Sequence, residues 1–398
     1  MIKKSFYMKK YCCVIMWGVF QLFCITNLNA DYLYPVVSYS VNNNENVLLL
    51  HQNGLHKTTI LCWDPSTQEL MPVLSSRFSP AGVLLLPDGS GFSFIEHGRI
   101  YIKRWNSRSP KAIDIFEPIY TIEHIQWLTS DICYFHAKYT NRFGVYAAHI
   151  SGDVICLVRQ DTADCMYPQI VGKQLYYIER SMNADHYTVT IRCSSIPALE
   201  RLWGLSDSSQ EISLMPVIDS KKAQLIMHKD DLACIFLKMI SAKEGYVIGY
   251  DSSLKEEQEY VDFLVYYMVK DQQGWMHRKL FSFSIPLELV VDGSPDRLFE
   301  SIVPCLPKKF GDTFYYVAVE QDNDCIRSYL KTYELHSGTI SVLASCESDR
   351  ICALLSPVKC GDIILYGGSV QQYKKKSFLL PFFYPYNDAY KAHIPTIP

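Results

Sequence analysis

Short strand-like runs recur along this chain at a spacing of roughly 40–50 residues, and this limits the fold more than any other feature. Gly91-Phe92-Ser93-Phe94-Ile95 alternates, turns through Glu96-His97-Gly98-Arg99, and returns as Ile100 to Trp105. Ile132 to His136 is answered by Gly144 to Ala148 and then Val154 to Val158. Gln174 to Ile178 is answered by Tyr187 to Ile191, and Thr313 to Val317 by Ser328 to Tyr333 and Thr339 to Leu343. Gly, Pro, Asn, Asp and Ser separate the runs, as turn chemistry requires. No long amphipathic helix interrupts them. Central strands are expected to start near Val47, Phe92, Ile132, Leu175, Leu225, Leu264, Phe314 and Ile363.

A unit of three or four such strands cannot bury both of its faces alone. Copies must stack around an axis, which is the logic of a β-propeller. The expected fold is therefore all-β: a propeller of four-stranded blades, seven or eight in number. A pair of β-sandwiches is the alternative. Aromatics, at 13% with 28 Tyr and 19 Phe, suit half-buried pleated surfaces. The fifth unit is thin, and residues 240–260 are polar enough to suggest a loop insertion there.

Leu85-Leu86-Pro87-Asp88-Gly89-Ser90-Gly91-Phe92 resembles the Ser-Pro-Asp-Gly strand entry of TolB-type and WD40-like propellers. Tyr167-Pro168-Gln169 through Leu175 is similar, as is Leu354-Leu355-Ser356-Pro357 with Gly361-Asp362. The resemblance covers roughly residues 35–370 and implies a propeller. The Gly-His and Trp-Asp pairs of WD40 blades do not recur, and the α/β domain that precedes the propeller in TolB is not expected here.

Residues 1–30 read as a secretory signal peptide, with Lys3, Lys4, Lys9 and Lys10 before an apolar run and cleavage expected after Ala30. An uncleaved anchor is the alternative. The expected layout is a signal peptide at 1–30, a propeller at 31–380 and an extended C-terminal tail at 381–398. Losing the signal removes four Lys and no acid, so the net charge of −3 becomes more negative. Nothing in that balance argues for a basic nucleic-acid face. No transmembrane span is expected after signal removal, and the location is periplasmic or secreted, in the cell envelope.

Removing Cys12, Cys13 and Cys24 from the 14 cysteines leaves an odd number. An exported chain can form disulfides; Cys156 with Cys165 and Cys346 with Cys352 are the candidate pairs. Cys133 reads instead as a small buried hydrophobe.

There is no Gly-x-Ser-x-Gly elbow, HExxH, CxxC or phosphate loop. Neither catalytic, cofactor nor metal residues are assigned. Glu96-His97 and Glu123-His124 pair an acid with a His, but neighbours on a strand face opposite sides, so turns or strand ends account for them. His51 and His56 flank a turn. Glu320 to Asp324 lacks the Gly and the distal Glu of a calcium loop and reads as a polar hairpin tip. Lys374-Lys375-Lys376 reads as a solvated turn.

The expected function is an exported, non-enzymatic propeller that binds an envelope or periplasmic protein partner. The alternative is a propeller enzyme or carbohydrate-binding protein with its site at the axial funnel. Carboxylates meeting at the axis would favour that alternative, and an apolar or plugged axis would disfavour it.

Overall fold

The computed structural model describes residues 39–385 apart from short internal stretches, of which 197–214 and 287–305 are the longest. Side chains are described chiefly between residues 71 and 345. The only helical turn among the described residues is a 3-10 turn, Ser220–Lys222.

Everything else regular is strand, and pairing joins the strands into seven four-stranded sheets. Sheet one holds β1 (Tyr39–Val41), β2 (Val47–Gln52), β3 (Thr58–Asp64) and β4 (Glu69–Ser76). Sheet two holds β5 (Ala81–Leu85), β6 (Gly91–Glu96), β7 (Arg99–Arg104) and β8 (Lys111–Ala112). Sheet three holds β9 (Ile119–Trp127), β10 (Ile132–Tyr139), β11 (Arg142–His149) and β12 (Val154–Val158). Sheet four holds β13 (Asp164–Val171), β14 (Gln174–Asn183), β15 (His186–Ser195) and β16 (Gln224–Asp230). Sheet five holds β17 (Leu232–Ser241), β18 (Glu244–Asp251), β19 (Tyr260–Lys270) and β20 (Trp275–Pro286). Sheet six holds β21 (Lys308–Phe310), β22 (Thr313–Asp322), β23 (Cys325–Glu334) and β24 (Ile340–Ser348). In sheet seven, β25 (Ile351–Leu354) and β26 (Val358–Cys360) share one edge of β27 (Ile363–Gln371), and β28 (Ser377–Pro385) takes the other.

In sheets one to six each strand pairs antiparallel with its neighbour in the chain. This is the blade of a propeller, with the first strand innermost and the fourth at the rim. Five blades, β5–β8 to β21–β24, are described with their side chains. Repeat counting led to seven or eight, so at this level the count is lower than expected. Sheets one and seven flank these five and are described mainly through backbone pairing.

The expectation of an eighth repeat has a traceable error. Leu225 lies on β16, the outer strand of sheet four, and Leu264 on β19, the third strand of sheet five. Two counted starts thus stand for one sheet, whose second strand is β18. The expected insertion at 240–260 contains the β17–β18 hairpin and most of β18. The long connection lies earlier, between β15 and β16. At the other end, β28 carries strand pairing past residue 380 to Pro385.

Core packing shows why the sheets need each other. In β10, Cys133, Phe135 and Ala137 join a cluster with Ile95 and Ile100 of sheet two. The intervening Ile132 and Tyr134 join a cluster with Leu175 and Tyr177 of sheet four. Alternate residues of a strand point to opposite faces, so one strand supplies two interfaces. Five clusters fill the successive gaps from sheet one to sheet six. A pair of sandwiches would concentrate its core between two facing sheets, and that alternative is excluded.

The outer edges differ. Beyond β15 the chain reaches back to sheet three, where Val217 and Ile218 donate backbone hydrogen bonds to Cys156 and Leu157 of β12. This covers an edge strand that is buried along its whole length.

Candidate axial site

The innermost strands of sheets two, three and four share one irregularity. Ala81 pairs with Ile95 and Leu84 with Ser93, so Gly82 and Val83 together oppose Phe94. His124 and Ile125 oppose Phe135 in the same way, and Tyr167 and Pro168 oppose Tyr177. The first residue of each bulge is left-handed: Gly82 at φ 56°, His124 at φ 50° and Tyr167 at φ 51°. Glycine adopts this conformation freely, whereas a side chain there costs on the order of 1–3 kcal/mol. Bulges re-aim side chains. Here they turn His124 and Tyr167 inward.

The His124 ring lies 6.2 Å from that of Phe236, on the innermost strand of sheet five. Sheets three and five are not neighbours, so this contact lies at the axis. Tyr167 meets the His124 ring edge-on at 5.4 Å, and the His136 ring lies 5.9 Å from it.

Hydrogen bonding determines the state of His124. The Ile170 N–H donates to the Tyr134 hydroxyl at 3.3 Å, and that hydroxyl donates to Gln126 Oε1 at 2.9 Å. The Gln126 amide nitrogen therefore faces His124 Nε2, at 3.2 Å. Gln169 Nε2 donates to the Pro168 carbonyl at 3.0 Å and lies 3.3 Å from the same His124 nitrogen. His124 Nε2 thus accepts, and the ring proton resides on Nδ1. Burial, with His136 and Lys238 nearby, pulls the His124 pKa down to about 3, so the ring is neutral at physiological pH.

His136 is buried behind it. Its Nε2 lies 3.3 Å from Glu123 Oε2, and its Nδ1 accepts from the Tyr167 N–H at 3.3 Å. That last bond holds the bulge of sheet four in place.

Two lysines join from the far side of the axis. Lys238 sits on β17 two residues after Phe236, hence on the same face of the strand. It is exposed to solvent, and packing of the surrounding protein around it lowers its pKa. Lys308, on β21, has its pKa lowered to about 8 by burial and by Lys238. Neither lysine has an ion pair among the described residues. The adjacent Lys309 is neutralised by Glu244 at 2.8 Å.

Among the described residues the axis is therefore neither a carboxylate pair nor an apolar plug. It presents donors: the His124 ring, two ammonium groups, and amides held by their own bonds. No group of three or more His, Cys, Asp or Glu among the described residues could hold a metal ion.

Glu123-His124 is not a dyad, as strand alternation requires. The bulge nonetheless places both residues in one network, which sequence reasoning missed, along with Gln126, His136, Gln169, Lys238 and Lys308. Gln126 and Gln169 stand at equal places in successive repeats, the one sequence signal that marked them. Glu96-His97 is a hairpin end, with His97 left-handed in the turn. Glu320 pairs with Lys331 at 2.9 Å beside a hairpin tip. The side chains of His51 and His56, and Lys374 to Lys376, lie outside the described residues.

Cys156 and Cys165 are buried free thiols, so the expected disulfide is not formed in this structure. The side chains of Cys346 and Cys352 lie outside the described residues, as does the whole of 1–30. Cys133 is fully buried, as a small hydrophobe would be. No described helix is long and apolar enough to cross a membrane.

No protein-family model and no curated protein sequence matches the chain. Solved structures do. An oligogalacturonate lyase in complex with manganese matches at TM-score 0.54 and 9% identity, covering 90% of this chain and 99% of that one. The β-propeller domain of the Trilobed protease from Pyrococcus furiosus matches at TM-score 0.50 and 12% identity, over 92% and 99%. TolB from Acinetobacter baumannii matches at TM-score 0.37 and 12% identity, over 80% and 62%. The chain spans 32% of the tricorn protease, which it also matches. At these identities the likeness establishes the fold, a β-propeller of four-stranded antiparallel blades, as the repeats implied.

Proposed function

We propose that this chain is a ligand-binding propeller whose axial funnel takes a carboxylate-bearing ligand, an acidic oligosaccharide being the class that fits. One observation carries the reading: His124, Lys238 and Lys308, from sheets three, five and six, converge at the axis as donors. Like charges held together in a poorly hydrated site are costly until an anion joins them. Phe236, half-buried, adds flat apolar surface against which a sugar ring packs. Residues 1–30 direct export to the envelope, with the mature chain starting at Asp31.

Calorimetric titration with a galacturonate oligomer and with its methyl ester tests the site. Binding of the acid and not the ester is expected. Affinity should fall as pH rises through about 8, where Lys308 loses its proton. Equal binding of acid and ester, or none, removes the proposal.

A protein partner is the second reading, and a different observation favours it. Leu225, Met276, Ile340 and Val342 are exposed on the outer strands of sheets four, five and six. Such residues suit a docking rim. A tagged pull-down from envelope extract that recovers no specific partner counts against this reading.

A further inference from the structure

Lys238 and Lys308 stand on the innermost strands of sheets five and six. Strand alternation separates Lys308 from the next residue. Lys309 turns to sheet five, where Glu244 Oε1 meets its ammonium at 2.8 Å. Lys308 turns the other way, to the face it shares with its cross-strand partner Tyr315. The one carboxylate at this place is therefore taken by the neighbour.

A hydrogen bond ties Lys308 to the surroundings of Lys238. Lys238 of β17 pairs with Tyr246 of β18, and the buried Tyr246 hydroxyl donates to the Pro307 carbonyl at 3.0 Å. Lys308 follows directly, so the start of β21 is fastened to the strand beside Lys238. Burial, with Lys238 nearby, brings the Lys308 pKa from 10.5 down to about 8. Part of the amine is then unprotonated near neutral pH. A lysine next to a second cation is activated as a nucleophile in this way.

We propose that Lys308 forms a reversible imine with the reducing-end aldehyde of an acidic oligosaccharide, while Lys238 holds the carboxylate of the same sugar. This rests on the axial ligand being such a sugar. A uronic acid carries both groups, a carboxylate at one end and, when its ring opens, an aldehyde at the other. The Nζ lone pair attacks the aldehyde carbon and a C–N bond forms. The aldehyde oxygen takes up both amine protons and leaves as water, which gives the C=N bond. No electrons are exchanged and no co-reactant is needed. The site then grips a chain by its reducing end.

Reductive trapping tests this. The full chain is incubated with a galacturonate oligomer and cyanoborohydride, and the modified lysines are mapped by peptide mass spectrometry. The adduct is expected at Lys308 ahead of every other lysine, and Lys308→Arg should lose it. The same oligomer reduced to its alditol keeps its carboxylates and lacks the aldehyde, so it should bind by calorimetry and leave no adduct. A neutral galactose oligomer should label Lys308 about tenfold less, for want of one hydrogen bond to a charged group. Equal labelling by the two oligomers overturns the role of Lys238. A label spread evenly over the surface lysines, or none at Lys308 while oligomer and alditol both bind, overturns the imine and leaves the anion site standing. Failure of both to bind removes the axial reading and this proposal with it.

Discussion

Sheets two and three solve the same backbone problem with different residues. Each innermost strand carries a bulge whose first residue is left-handed, opposite a buried Phe. Sheet two places Gly82 there and sheet three places His124. Glycine meets the geometry at no steric cost. Histidine meets it at a cost that only its contacts can offset: two amides on Nε2, and the rings of His136, Tyr167 and Phe236. Strain kept where a glycine would serve marks the side chain itself as the thing retained. The bulge is a feature of the fold, while its occupant belongs to the site.

Exchanging the two occupants should break this comparison most severely. Gly82→His would force a side chain to φ 56° with its Cβ 3.3 Å from Ile95 and 3.4 Å from Ile125. Strain and overpacking together should cost about 3 kcal/mol, read from the urea midpoint. A loss below about 1 kcal/mol would mean that the two bulges are interchangeable.

Acid should separate them next. The folded pKa of His124, about 3, lies below the 6.5 of an unfolded histidine. The unfolded chain then binds more protons between these values. Stability is fully present above pH 6.5 and falls as pH drops towards 3. Carboxylates titrate in the same window, so the difference between the wild-type chain and His124→Asn is what reports the histidine. Asn tolerates the left-handed conformation. The wild-type chain should lose on the order of 2 kcal/mol more than the variant over this range. Parallel denaturation profiles would contradict a neutral, enclosed His124.

The seam between the two sheets gives a smaller effect. Trp127 Nε1 donates to the buried Ser93 hydroxyl at 2.7 Å, joining β9 to β6. Ser93→Ala leaves a tryptophan N–H without its acceptor and should cost about 1–2 kcal/mol. A neutral substitution would show that water replaces the hydroxyl.

His124→Gly should move stability least. It copies sheet two, relieves the strained backbone and loses the ring, so the net change should stay within about 1 kcal/mol. Binding of an acidic oligosaccharide should still fall by roughly tenfold, the worth of one hydrogen bond to a charged group. Unchanged binding would remove His124 from the site.

Much of the fold was legible in the chain because strand pleat and turn chemistry are local. The hairpins β6–β7, β10–β11, β14–β15 and β22–β23 were each expected from alternating runs around polar turns, and each pairs as expected. The count failed where the period stretches. The long connection between β15 and β16 displaced the fifth unit, so β16 was read as a central strand. Its role as an outer strand depends on which neighbour it pairs with, and pairing is not local.

The axial site was less legible. A bulge shifts register by one residue, and nothing in Glu123-His124-Ile125-Gln126 announces that shift. Alternation along an unbroken strand argues against Glu123 and His124 sharing a network. The bulge overrides it, and His136 and Tyr167 complete the arrangement from other strands.

By itself the sequence determined the class of structure. Repeated runs of alternating apolar residues have two faces to bury, and stacking of copies buries both. The tertiary structure alone decided where the chemistry lies. His124, Gln169, Lys238 and Lys308 are far apart in the chain and carry no common motif. Stacking of the blades brings their first strands to one axis, and only there do a neutral imidazole, two amides and two ammonium groups become one site.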